Sequence, residues 1–151
     1  MINALAWRGA IMGLALVLLT GGLLTAAEFS AAGNPILTLQ VGSKTVKAEV
    51  VQTPEKLFLG LGGRSELPWG TGMLFLMPRP AIQEFCMRGM LIPIDIIWIY
   101  RQQIIGFALN LQPDDLGTFI SPGPADQVLE VPAGFVAASG LKVGDQVRPR
   151  P

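Results

Sequence analysis

The chain contains no histidine and a single cysteine, Cys86. Without histidine, a Ser-His-Asp triad, a Cys-His dyad and any imidazole-bound metal site are excluded. One cysteine excludes an intramolecular disulfide and a thiolate zinc cluster. Net charge is scarce too: 11 bases balance 11 acids, and beyond Ala27 ten bases face eleven acids, a net of −1. That balance offers no electrostatic case for nucleic acid as a partner. Carboxylates, lysine, hydroxyls, one tyrosine and a lone thiol remain for chemistry, and nothing indicates a cofactor or a metal.

What the chain has in quantity is hydrophobic residues, 50% of its 151, partly because no charge interrupts the stretch from Gly9 to Ala27. Arg8 precedes this stretch and Glu28 follows it, so the positive-inside rule keeps the N-terminus in the cytoplasm and sends the remainder outside. Its apolar residues run all round and lack the stripe of an amphipathic core helix, which argues against burial in a soluble fold. Two readings of residues 1–27 stand. Thr25-Ala-Ala27 offers small residues for signal-peptide cleavage, with Ser30-Ala-Ala32 as a second site. The stretch is also long enough for a membrane anchor, which needs about 18 to 20 residues. The protein is accordingly expected to be extracytoplasmic: secreted or periplasmic if cleaved after Ala27, membrane-anchored if not.

Residues 28–35 read as a linker, and Gly33-Asn-Pro35 opens a single β-rich domain over 36–148. Ile36–Val41 and Thr45–Val51 alternate apolar with polar around Gly42-Ser-Lys, which predicts a hairpin. Thr53-Pro54 predicts a short helix from Pro54 to about Leu61, capped by threonine and stopped by Gly62-Gly63. Short strands are predicted at Met73–Met77, Gln83–Met87, Ile94–Tyr100, Ile104–Leu109 and Val128–Val131, with a turn at Gln102-Gln103 and a long loop through Pro113 and Pro122–Pro124. A second helix is predicted over Pro132–Ser139, and Val143-Gly-Asp-Gln-Val147 reads as a turn into a last edge strand. This pattern is mainly β: a compact antiparallel β barrel or sandwich with two short helices, preceded by an N-terminal hydrophobic helix.

The strand Ile94–Tyr100 holds one acid, Asp95, among isoleucines, and an acid there must find a partner or lose its charge. It shares a strand face with Ile97 and Ile99. As a site residue it could anchor a ligand or act as a general acid; as a structural one it could pair with Arg64 or Arg88, or accept backbone N–H bonds. The structural role is favoured, because buried ion pairs commonly serve architecture. Arg88 could hold a carboxylate or phosphate with its planar fork. Trp69, between Pro68 and Gly70, sits in a loop where an exposed indole would be a recognition handle. Arg64, Trp69, Arg88 and Asp95 are therefore the candidate ligand-binding residues. Met73, Met77, Met87 and Met90 read as core filling. Cys86, in a short strand with no histidine to take its proton, is expected to be buried and inert.

Several of these segments together resemble the domain of unknown function 192: Gly60-Leu61 with Arg64 and Leu67-Pro68, Gly72-Met-Leu-Phe75, Phe85, Met87-Arg88, Ile92-Pro-Ile-Asp-Ile-Ile97, Val128-Leu-Glu130, Ala133-Gly-Phe135 and Gly144-Asp145. The resemblance covers roughly residues 36 to 148. It implies a compact, mostly β fold found in bacterial and archaeal proteins that often carry a signal or anchor segment, and no established activity. Where many members look like Phe-Trp-Met-Lys-Asn-Thr, this chain has Phe85-Cys-Met-Arg-Gly-Met90. It therefore lacks a large aromatic face and two hydrogen-bonding side chains at these positions.

Three classes of function fit these observations: an envelope-associated module binding a small molecule, glycan or protein without catalysis, an enzyme using Asp95 with Arg88, and a structural accessory of a membrane complex. Loops rich in proline and glycine favour the first, and the lack of a second acid or base near Asp95 in sequence counts against the second. The topology is directly testable. A reporter active only in the cytoplasm, fused after Pro151, should be silent; activity would reverse the expected orientation.

Overall fold

The structure is a computed structural model that describes residues 27–150. The expected N-terminal hydrophobic helix falls on residues outside that range. Among the described residues no helix is long and apolar enough to cross a membrane.

The elements are β1 (Ile36–Val41), β2 (Lys44–Val51), α1 (Pro54–Leu59), β3 (Thr71–Ala81), β4 (Glu84–Cys86), β5 (Ile94–Tyr100), β6 (Gln103–Leu111), β7 (Thr118–Ile120), β8 (Ala125–Pro132), α2 (Phe135–Ser139) and β9 (Val147–Pro149). Seven strands form one sheet in the order β6-β5-β8-β3-β2-β1-β9, and β4 pairs with β7 in a separate ribbon. The large sheet curls into a half-barrel. Its two outermost strands meet at one end, where Gln103 bridges Gln146 and the Val147 N–H donates to the Gln102 carbonyl at 2.8 Å.

One feature corrects the antiparallel expectation: β2 and β3 run parallel, Lys47 beside Thr71 through Val51 beside Phe75. A parallel pair needs a crossover, and α1 with the loop after it supplies one. The Thr53 hydroxyl accepts from the Lys56 N–H and Pro54 occupies the first turn, as the sequence predicts, but the helix stops at Leu59 because Gly60 turns out of it at φ 51°. The strand expected to close at Pro78 instead continues through Pro78 and Pro80 to Ala81. Proline is tolerated there because β2 pairs with β3 only as far as Phe75, and the β8 register breaks between Leu76 and Ala81. The loop expected after Pro113 contains β7. The second helix begins at Phe135 rather than Pro132, since Gly134 is left-handed at φ 83°.

The sheet has two apolar faces. Its concave side encloses Val41, Val46, Leu74, Ile97, Ile99 and Leu129, closed off by Phe135 and Val136 of α2. Its convex side carries Met73, Phe75, Ile94, Ile96, Trp98 and Val128 beneath a second layer built from Leu61, Met87, Met90 and the β4–β7 ribbon. Phe85 of that ribbon meets Phe75 and Trp98 edge-on, with ring centroids 5.1 and 5.4 Å apart. β5 is thus covered on both sides, which is why it is an almost unbroken isoleucine run.

Asp95 is 1% exposed and lies on the concave side. At this point the β5–β6 register shifts: Ile94 faces Leu111 and Ile96 faces Ala108, so Leu109 and Asn110 both stand opposite Asp95. Such a bulge leaves an N–H without a ladder partner. Asp95 Oδ1 accepts it from Asn110 at 2.7 Å, and Oδ2 accepts the Val136 N–H at 3.0 Å in the first turn of α2. One carboxylate therefore ties the bulge of β6 to the start of α2. Asp95→Asn would turn one accepting oxygen into a donor facing a donor. It should destabilise the fold by about 1 to 4 kcal/mol in urea unfolding; an unchanged midpoint would show that these N–H groups find other acceptors.

Candidate functional site

The second buried acid of the central strands is Glu130, which sequence analysis did not single out as a candidate. It stands on β8 directly between Met73 of β3 and Ile96 of β5, and it is 5% exposed. The same β3–β8 contact is tight: a Cβ on Gly72 would lie 2.5 Å from the Glu130 carbonyl oxygen, so only glycine lets the two backbones approach this closely. Alternation puts Glu130 on the convex face with Val128, opposite to the face that holds Asp95.

The two acids are provided for in different ways. Asp95 has an N–H for each oxygen, whereas Glu130 Oε2 is buried with no hydrogen-bond partner among the described residues. Burial alone pushes the Glu130 carboxyl up from 4.5 to about 8, so at neutral pH it is mostly protonated.

Above Glu130 lies an open cleft of about 470 Å³. Leu57 and Phe58 of α1 form one wall, Phe75 and Met77 of β3 another, and Phe85 and Cys86 of β4 a third; Glu84, Arg88 and Met90 are also part of the lining. Most of these side chains are apolar, and Glu130 is the one acid sunk among them. The volume falls in the range of small-molecule sites, roughly 300 to 1,000 Å³. The Arg88 guanidinium lies over the Phe58 ring, 4.4 Å from its centroid, and forms no ion pair among the described residues.

The four residues singled out from sequence do not converge. Of them, only Arg88 lines the cleft. Arg64 pairs with Glu49 of β2, its Nη2 donating to Oε2 at 2.8 Å and its Nη1 to Oε1. Asn34 Nδ2 donates to the same Oε2 at 2.9 Å. The Arg64 bond, helped by Asn34 and opposed by burial, holds the Glu49 carboxyl down at about 2. Glu49 in turn raises the Arg64 guanidinium above its ordinary value. Trp69 is exposed but leans on Phe135 of α2, 5.3 Å between ring centroids, beside the concave core. Asp95 meets neither Arg64 nor Arg88.

Cys86 also departs from expectation. It is exposed rather than buried, because β4 turns Phe85 inward onto Phe75 and Trp98 and thereby turns its neighbours Glu84 and Cys86 outward. Met73, Met87 and Met90 are buried as core filling, and Met90 also reaches the cleft.

A carboxyl whose folded pKa lies near 8 and whose unfolded value is near 4.5 binds more proton in the native state between those values, so stability must fall as pH rises through that window. The fall should amount to roughly 3 to 5 kcal/mol between pH 5 and pH 9. Glu130→Gln keeps the shape and cannot ionise. Urea titrations across this range should show the decline in the parent chain and a much flatter profile in the variant. Equal slopes would mean that Glu130 is not the buried acid responsible.

Three comparisons bear on identity. A crystal structure of a protein of unknown function from Novosphingobium aromaticivorans superposes with a TM-score of 0.78 at 31% identity, covering 85% of this chain and 99% of that one. Another, from Sinorhizobium meliloti and described as a candidate transcription regulator, superposes with a TM-score of 0.74 at 22% identity, covering 77% of this chain and 95% of the other. The second likeness is one of fold. No match is found among curated proteins. The family model DUF192, described as "Uncharacterized ACR", matches residues 37–149, from β1 into β9 and across every wall of the cleft. On that match, the chain belongs to the DUF192 family.

Proposed function

We propose that this protein is an extracytoplasmic, envelope-associated binding module that holds a small, largely apolar molecule in the cleft over Glu130. The observation that carries this reading is the pairing of an open apolar cleft with a buried acid whose Oε2 has no partner among the described residues. A polar group in a hydrophobic layer costs stability unless it is hydrogen-bonded. A ligand that brings the missing partner recovers that cost on binding, and the surrounding phenylalanine, leucine and methionine side chains supply area to cover its body. The cleft has too few polar side chains to suit a glycan.

The uninterrupted apolar stretch Gly9–Ala27, flanked by Arg8 and Glu28, supports a location at the outer side of a membrane. An enzyme built on Asp95 with Arg88 finds no support in the geometry: Asp95 faces the concave core with both oxygens engaged by backbone N–H groups, while Arg88 borders the convex cleft. The charge balance likewise leaves nucleic acid out of this reading.

Cys86→Trp provides the test, because its side chain is exposed and borders the cleft, so a bulky ring there obstructs the cavity without entering the core. Full-length protein purified from its native cells should yield a small molecule to mass spectrometry after denaturing extraction. The variant should fold equally well and carry at least tenfold less. Equal amounts in both would place the bound molecule elsewhere and end the cleft assignment.

A further inference from the structure

We infer that the group placed against Glu130 is a cationic nitrogen, so that the cleft takes a small amine on an apolar or aromatic body. The inference rests on the proposed role of the cleft and specifies the chemistry of its ligand.

Glu130 Oε2 is closed off from solvent, and neither a backbone N–H nor any side chain of the described residues reaches it. The guanidinium nearest in the lining, Arg88, is instead laid over Phe58. The protein has thus put an acid in the middle of its sheet and left its counterion out. If the ligand needed only a neutral hydrogen-bond donor or acceptor, a glutamine would provide both at every pH without the burden of an ionisable group. What a carboxyl adds is the capacity to become an anion. In surroundings of low dielectric, an anion attracts a cation far more strongly than it would in water. A ligand anion gains nothing from the anion that Glu130 can become, and Glu84 of the lining repels it.

The walls fit this chemistry as well. Phe58, Phe75 and Phe85 all border the cavity. Ring faces attract cations, and Phe58 demonstrates this here by holding Arg88. An incoming ammonium would displace a proton from Glu130: the O–H bond breaks, the proton leaves to buffer, and the N–H donors of the ligand take its place. Nothing is oxidised or reduced, and no co-reactant is needed.

The test uses three probes with one body, 2-phenylethylamine, 2-phenylethanol and 3-phenylpropionate, titrated calorimetrically into the full chain at pH 6.5 in buffers of different ionisation enthalpy. The expected result is that the amine binds at least tenfold more tightly than the alcohol, releases close to one proton per molecule bound, and loses at least tenfold in affinity in Glu130→Gln. Cys86→Trp should weaken all binding and so assign it to the cleft. The proton count is read on the parent chain and does not depend on any variant folding. Binding of the alcohol as tightly as the amine, without proton release, would overturn the cation inference and leave the cleft reading intact. Tightest binding of the propionate would overturn it by naming Arg88 as the anchor. Amine binding unchanged in Glu130→Gln, or no binding of any probe, would also overturn it, whereas loss of the native ligand assignment in the extraction experiment would remove the cleft reading itself.

Discussion

The central strands β3, β8 and β5 are buried on both faces, and this constraint orders the molecule. A strand with water on neither side cannot carry a polar side chain without some local arrangement to receive it. Two acids on these strands, Asp95 and Glu130, are buried, on neighbouring positions and opposite faces, and the fold treats them oppositely. Around Asp95 the chain builds a bulge and starts a helix, so that two otherwise unpaired N–H groups meet two oxygens. Around Glu130 it builds nothing. A packed second layer covers most of the convex face and leaves a cleft that Glu130 helps to line. The concave acid belongs to architecture, and the convex one carries the proposed site.

Much of the strand pattern could be read from the sequence because the driving signals are local. Alternation gave the β1–β2 hairpin, the isoleucine run gave β5, and Thr53-Pro54 gave the start of α1. The misreadings share a cause, which is that pairing partners are remote in sequence. Nothing near Pro78 announces that β2 stops at Phe75 and frees that side of β3, and nothing near Phe119 announces that β4 will pair with it. The parallel β2–β3 pair is a property of how the α1 crossover returns, which periodicity cannot express.

The site was half legible. An acid inside an apolar strand is a good signal, and it drew attention to Asp95, but Val128-Leu-Glu-Val131 carries the same signal in a shorter segment. Seen alone, those four residues suit a half-exposed strand with Glu130 in water. Only the sheet order, which sets β8 between β5 and β3, turns that glutamate into a buried one. Cys86 was misjudged for the related reason that a short ribbon strand has a wet side, and alternation does not say which residue takes it. For Arg88 the sequence left open a ligand anion or a pair with Asp95; the guanidinium rests on the Phe58 ring and pairs with no acid among the described residues.

The place of β8 in the chain has a consequence for how this molecule is made. The strand that joins β3 to β5 comes late, at residues 125–132, while the two strands it bridges have left the ribosome well before it. Until it arrives, neither has its antiparallel neighbour on that edge, and the apolar surfaces on both sides of the sheet have no stable backing. The nascent polypeptide therefore cannot lock into its final form while it is being synthesised, since contacts distant along the chain must wait for both partners. Until β8 is in place, the open edges of β3 and β5 are free to pair with other chains, so the interval before its arrival is the one in which this molecule is most exposed to misassembly.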